Sequence, residues 1–148
     1  MITISILGLD QYIVGRLSRD LTTNIAKLYE LDEDQVVFVA PSNMIFHKGV
    51  EQTSWNVIVR VNAPMKVQVL QDEMANLLSL GLSEVAINLV IEFTYYSQDN
   101  RYEKLHPDYP RYIAENNLSD LDIELPDYED IDPEDVYDGD VFEDFEDK

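Results

Sequence analysis

The chain has no cysteine, so disulfides, thiolate nucleophiles and cysteine-ligated metals are excluded. Its two histidines, His47 and His106, are too few for a histidine-rich metal site. Positive charge is scarce: 10 Lys+Arg stand against 30 Asp+Glu, for a net charge of −20 over 148 residues. A field of that sign repels phosphates, so direct binding to nucleic acid or to an anionic membrane is not expected. No apolar run reaches the ~18 residues of a membrane-spanning helix. The opening MITISILGLDQ lacks the basic start of a secretory signal and reads as a strand. The expectation is a cytoplasmic protein with no membrane contact. Glycine-rich phosphate loops, G-x-S-x-G and H-E-x-x-H are all absent, and no cofactor or metal is expected.

The acids that are present are unevenly spread. Residues 115–148 carry sixteen of them and one base, a net of −15, which leaves −5 for residues 1–114. This shift predicts a globular domain over 1–114 and an acidic tail over 115–148, because blocks of like charge repel themselves and resist ordering.

Hydrophobic spacing within 1–114 predicts an α+β fold. Ile2, Ile4 and Ile6 alternate with Thr3 and Ser5, the period of a strand. Asp10 is placed to cap a helix whose apolar face is Ile13, Leu17, Leu21, Ile25 and Leu28. A polar turn at Asp32-Glu33-Asp34 leads into a β-branched and aromatic strand, Val36–Ala40. Met44–His47 reads as a short edge strand ended by Lys48-Gly49. The pattern then repeats. Trp55, Val57, Val59 and Val61 share one strand face, and Ala63-Pro64 turns into a helix striped by Val67, Leu70, Met74, Leu77 and Leu78. Gly81 is the expected helix stop. Ile87, Leu89, Ile91 and Phe93 make one face of a fourth strand. Two β-α-β halves of this kind form a four-stranded sheet with both helices on one face. The other face would carry Thr3, Ser5, Ile58, Arg60, Asn88, Val90 and Glu92, and its two apolar members point to burial against another subunit.

These halves resemble the tautomerase superfamily, which includes macrophage migration inhibitory factor, and within it a branch of small uncharacterised bacterial proteins. The resemblance covers about residues 1–106. It is carried by MITISILGLDQYIVGRL, VVFVAPSNMIFHKG, TSWNVIVRV with MKVQVLQDEMANLL, and INLVIEFTYY with Tyr102 and His106. It implies a homotrimer. It also implies catalysis by an N-terminal proline, a secondary amine with a depressed pKa, beside a cation that holds the substrate carboxylate. This chain departs from both features. Position 2 is Ile2, a bulky neighbour that predicts retention of Met1, and the first helix-to-strand turn offers Asp32, Glu33 and Asp34 where a cation would be needed.

Two catalytic candidates follow: the Met1 α-amine, unperturbed near ~8, and His47 beside Lys48 on the expected edge strand. Tyr95, Tyr96, Tyr102, Tyr109 and Tyr112 are expected to pack a C-terminal extension onto the domain. In the tail, DPEDVYDGDVFED fails as a calcium loop, since placing Gly139 at position 6 puts Phe145 at position 12. The tail mixes acids with apolar residues, a composition suited to docking on a basic protein through Tyr128, Tyr137, Phe142 and Phe145. The leading expectation is a non-catalytic tautomerase-fold protein that binds through this tail. The alternatives are a tautomerase or isomerase of a small keto–enol acid using another base, and a nucleic-acid mimic that occupies a basic protein groove.

Overall fold

The alternation in the first strand decides the layering. In β1 (Ile2–Leu7), Ile2, Ile4 and Ile6 have no exposed surface, while Thr3, Ser5 and Leu7 are half-buried on the opposite face. Full burial of each such side chain stabilises by about 1.5–3 kcal/mol, so a one-residue slip of register would expose the whole set. The structure is a computed structural model that describes residues 1–113. The acidic tail lies outside the described residues. Within the compact unit Met1–Tyr112, β1 is flanked by β2 (Val36–Val39), which runs parallel to it, and by β5 (Asn56–Pro64), which runs antiparallel. β6 (Asn88–Tyr96) closes the sheet parallel to β5, for the order β2-β1-β5-β6.

Helix α1 (Gln11–Leu28) begins where expected, with the Tyr12 N–H donating to the Asp10 carboxylate at 2.8 Å. Its buried face is Val14, Leu17, Leu21 and Ile25, spaced to lie over Ile4, Ile6, Val57, Val59 and Val61 in one core. Helix α2 (Gln71–Leu82) adds Met74, Leu78 and Leu82 to that core. Leu89, Ile91 and Phe93 of β6 point to the same side and are partly buried there. Among the described residues no helix is long and apolar enough to cross a membrane.

Four details differ from the expectation. β5 continues through Pro64, which pairs with Tyr96, and a 3-10 turn over Met65–Leu70 intervenes before α2. Trp55 and Ile87 lie before β5 and β6 and are exposed, because those strands start only at Asn56 and Asn88. Gly81 does not stop α2 but sits inside its last turn, where a Cβ would come within 2.8 Å of a Leu21 methyl. Its role is close approach of the two helices. The expected edge strand is instead one arm of a separate hairpin, β3 (Phe46–His47) with β4 (Val50–Glu51). Lys48 and Gly49 both take positive φ, 49° and 81°, the two-residue turn that reverses a chain at once.

The open sheet face has the expected members. Ile58 stands opposite Val90 in register, and next to them the Arg60 Nε donates to Glu92 across the strands at 2.9 Å. Both of those charged side chains are more than half exposed, so the ion pair adds little stability and mainly marks a wet rim beside an apolar pair.

Gly8 ties the far end of β1 to the hairpin. Its carbonyl accepts from the Ser54 N–H at 2.8 Å, its φ is +83°, and a Cβ there would lie 2.6 Å from the Asn56 carbonyl oxygen. Gly49 has a similar φ of +81° but open space around it. Gly8→Ala is therefore expected to destabilise by more than ~2 kcal/mol, the clash adding to the ~1–2 kcal/mol of left-handed strain. Gly49→Ala meets only the strain. Thermal or denaturant unfolding of the two variants checks the difference, which equal losses of stability would refute.

Candidate functional site at the head of the first strand

The sheet topology brings four chain segments to one end of the sheet. Because β5 runs against β1 and β6 runs with β5, the start of β1 lies beside the ends of both later strands. The start of β2 lies on its other side, since Ile2 pairs with Val36. Met1 is thus placed between Gln35 and Tyr96. The Tyr96 hydroxyl donates to the Met1 carbonyl at 2.7 Å, which fixes the first residue at the strand head.

After β6 the chain turns back over this end through a short 3-10 turn, Gln98–Asn100, started by Ser97, whose hydroxyl accepts from the Asp99 N–H at 3.4 Å. The turn delivers Arg101 to Met1. One Arg101 nitrogen is 3.3 Å from the Met1 sulfur and another is 3.4 Å from the Tyr96 hydroxyl, with the guanidinium 5.8 Å from the Tyr96 ring centre. Arg111 arrives from further along, 3.7 Å from the same sulfur. It donates to the Asp34 carbonyl at 3.2 Å, and the Tyr112 hydroxyl donates to that carbonyl at 3.0 Å. The Glu103 carboxylate lies between the two arginines, 2.6 Å from Arg111 and 3.5 Å from Arg101. Met1, Gln35, Tyr96, Gln98, Arg101 and Glu103 line a cleft of about 240 Å³.

The electrostatics bear on the amine. Burial pushes the Met1 α-amine below its ordinary pKa of 8.0, and the cationic Arg101 pushes it the same way. Arg111 and Lys66 add to the lowering, and Glu103 opposes it. Each acts because a nearby positive charge disfavours a second one, and a carboxylate favours it. Lowering the pKa of a primary amine raises its fraction of free base near neutral pH, the form a base must have.

Of the candidates named from sequence, Met1 is in this cleft. His47 is not: it lies on the exposed hairpin held to the other end of β1, a strand about 20 Å long at the usual rise. Tyr128, Tyr137, Phe142 and Phe145 lie outside the described residues. The five tyrosines divide. Tyr96 lines the cleft, Tyr112 anchors the extension to Asp34, and the Tyr95 hydroxyl donates to Gln71 at 3.0 Å. Tyr102 and Tyr109 are 95% and 71% exposed and pack nothing onto the sheet. His106 sits in a local turn, its Nδ1 accepting from the Asp108 N–H at 3.2 Å. Among the described residues no three His, Asp or Glu side chains gather as a metal-ligand set.

The residues that sequence reasoning misses are Arg101, Glu103 and Arg111. The expected place for a cation, the acidic turn at Asp32-Glu33-Asp34, has none of its own. In the structure that turn recruits one, with Arg111 packed against Asp34. The signal in the sequence is placement: in a chain turning acidic, two arginines follow the last strand among closely spaced tyrosines.

No protein-family model matches the chain, and no curated protein matches it in sequence. Solved structures do. A domain of unknown function, DUF1904, from Sebaldella termitidis superposes with a TM-score of 0.63 at 19% identity, over 70% of this chain and 95% of that one. A macrophage migration inhibitory factor homologue from Prochlorococcus marinus matches with a TM-score of 0.55 at 15% identity, covering 70% and 94%. The macrophage migration inhibitory factor-like protein of Entamoeba histolytica gives 0.54 at 10% identity, covering 70% and 93%. At such identities the likeness is one of fold. The described part of this chain has the tautomerase-like fold of the macrophage migration inhibitory factor homologues, an α+β fold with a mixed four-stranded sheet and two helices.

Proposed function

We propose that the cleft at Met1 binds a small keto–enol acid and moves a proton at the carbon beside its carbonyl, with the Met1 α-amine as the base. The observation that carries this reading is the juxtaposition of a partly buried amine of lowered pKa with Arg101 in one cleft. The neutral amine takes the proton, so that an N–H bond forms as the C–H bond breaks. The enolate oxygen that develops is stabilised by the Arg101 guanidinium. The ammonium then returns the proton at the other end of the enol system, and amine and arginine are regenerated. The Tyr96 hydroxyl, bound to the Met1 carbonyl, holds the amine in place throughout.

The rival reading is a non-catalytic protein acting through its acidic tail. Its support is the missing N-terminal proline, the missing cation at the first helix-to-strand turn, and the tail itself; Arg101 and Arg111, which both act on the Met1 amine, weigh against the second. The missing proline and the tail still support it, and the proposal replaces a secondary amine by a primary one.

Turnover of a phenylpyruvate-like enol by full-length protein is the test, with intact mass used to verify Met1 as the first residue. Activity is expected, rising with pH to a plateau with its midpoint below 8, because the lowered amine must be neutral to act. Acetylation of the amine should abolish it. Arg101→Gln should raise KM and lower kcat, about 10–100-fold in kcat/KM for removing a charged hydrogen bond to substrate. Deletion of residues 115–148 should leave it unchanged. No turnover above buffer, or turnover unaffected by acetylation, would overturn the proposal.

We also propose that the open sheet face assembles the chain as the homotrimer expected from the resemblance. Ile58 and the half-exposed Val90, opposed in register on that face, support burial against a second copy. Ile58→Asp should weaken assembly, since a charge in such an interface is desolvated without a partner. Light scattering on both proteins reads this directly. A wild-type monomer at tens of micromolar would refute it.

A further inference from the structure

We propose that Glu103 is the resting occupant of a carboxylate site formed by Arg101 and Arg111, and that a ligand's carboxylate enters this site by displacing it. The inference deepens the reading of the Met1 cleft given above and rests on it only for the identity of the cleft, not for the chemistry.

Geometry carries the proposal. Both arginines reach the same Glu103 oxygen, Arg111 at 2.6 Å and Arg101 at 3.5 Å. Arginine binds carboxylates best through two parallel N–H donors to two oxygens. Here the paired edge of Arg111 is half used. Its Nη2 donates to Glu103, but its Nε is buried and has no hydrogen-bond partner among the described residues, the Asp34 carboxylate standing off at 3.9 Å. A buried N–H of a charged group left unpaired is a standing penalty that a two-oxygen ligand would relieve. The Arg111 side chain is 12% exposed, so it is built into the structure and not a surface cation.

Glu103 is suited to leave. It lies in a stretch without regular secondary structure, its side chain is 36% exposed, and it lines the cleft that opens onto Arg101. Swung into water, it gives up one strong and one weak hydrogen bond and regains solvation. Arg111 is held independently by the Asp34 carbonyl, so the site does not collapse when Glu103 moves. With Glu103 displaced, Arg101, which lines the cleft, and Arg111, which reaches the same Met1 sulfur, lose the carboxylate oxygen they share. At about 240 Å³ the cleft is below the ~300–1,000 Å³ of drug-sized pockets, so the ligand class is a small monocarboxylate.

The opposite role is a clamp, in which Glu103 is needed to hold Arg111 in place. The two roles predict opposite signs. Titration of full-length protein with benzoate, followed by calorimetry, compares wild type, Glu103→Gln and the double variant with Arg111→Gln. Displacement predicts that Glu103→Gln binds benzoate about tenfold more tightly, equivalent to about 1.4 kcal/mol, and that the double variant abolishes the gain. Binding by Glu103→Gln that equals or falls below wild type overturns the proposal. Should Glu103→Gln lose its folded unfolding transition, Glu103→Asp keeps the charge but shortens the reach. It should still bind more tightly than wild type, and no gain there overturns the proposal equally. Benzoate has no proton to exchange beside a carbonyl, so the result is independent of turnover. A gain without turnover of any keto acid defeats the catalytic reading alone. Turnover by Met1 without a gain defeats this one alone.

Discussion

The central position of β1 is the constraint on which the rest depends. Paired on both sides and buried through Ile2, Ile4 and Ile6, it cannot shift without exposing three isoleucines. Its register therefore sets where residue 1 stands, and the Tyr96 hydroxyl on the Met1 carbonyl completes the placement. A chain terminus is ordinarily the least ordered part of a protein. Here the first residue continues a central strand whose isoleucines are fully buried, which is how an amine with no side-chain scaffold of its own acquires a fixed position, with two guanidiniums at the sulfur of the same residue.

The extension after β6 depends on that strand in turn. It has almost no regular structure, yet it is tied down at Met1, Tyr96 and Asp34 by polar contacts. Polar contacts at a half-exposed surface are individually weak. Their donors converge because the sheet ends are already aligned by the pairing of Pro64 with Tyr96 and of Ile2 with Val36. The acidic turn at Asp34, which by charge alone would repel an anionic ligand, turns its carbonyl oxygen to Arg111 and so helps to hold a cation near the amine.

Most of the fold is legible because it is written in periodicity. The two-residue alternation of β1 and the stripe of Leu17, Leu21 and Ile25 each have one low-energy interpretation. The misreadings come from single residues. Gly81 resembles a helix stop, but its missing Cβ makes room for Leu21, an approach between two helices distant in sequence that no local pattern records. Met44–His47 resembles an edge strand, but the turn at Lys48-Gly49 sends it into a hairpin of its own. The site is legible only in part for the same reason. Met1 follows from chemistry at a terminus. Arg101, Glu103 and Arg111 sit in a stretch with no period, and their meeting is decided by where the sheet ends.

A chain of net charge −20 that collects guanidiniums at one cleft needs the local field to outweigh the global one. It does so by distance. Opposite charges about 4 Å apart near a protein surface attract by about 4 kcal/mol at an effective dielectric of ~20. Exposed charges further away than ~8 Å are largely screened at physiological salt. Surface carboxylates elsewhere on the domain thus slow the approach of an anion more than they weaken its grip. Glu103 is different in kind: it is the carboxylate within contact distance of both guanidiniums, and so the one whose removal changes affinity and not only encounter rate. The balance at the cleft is therefore set by three side chains on one irregular segment, while the sheet beneath them supplies the amine and the fixed geometry.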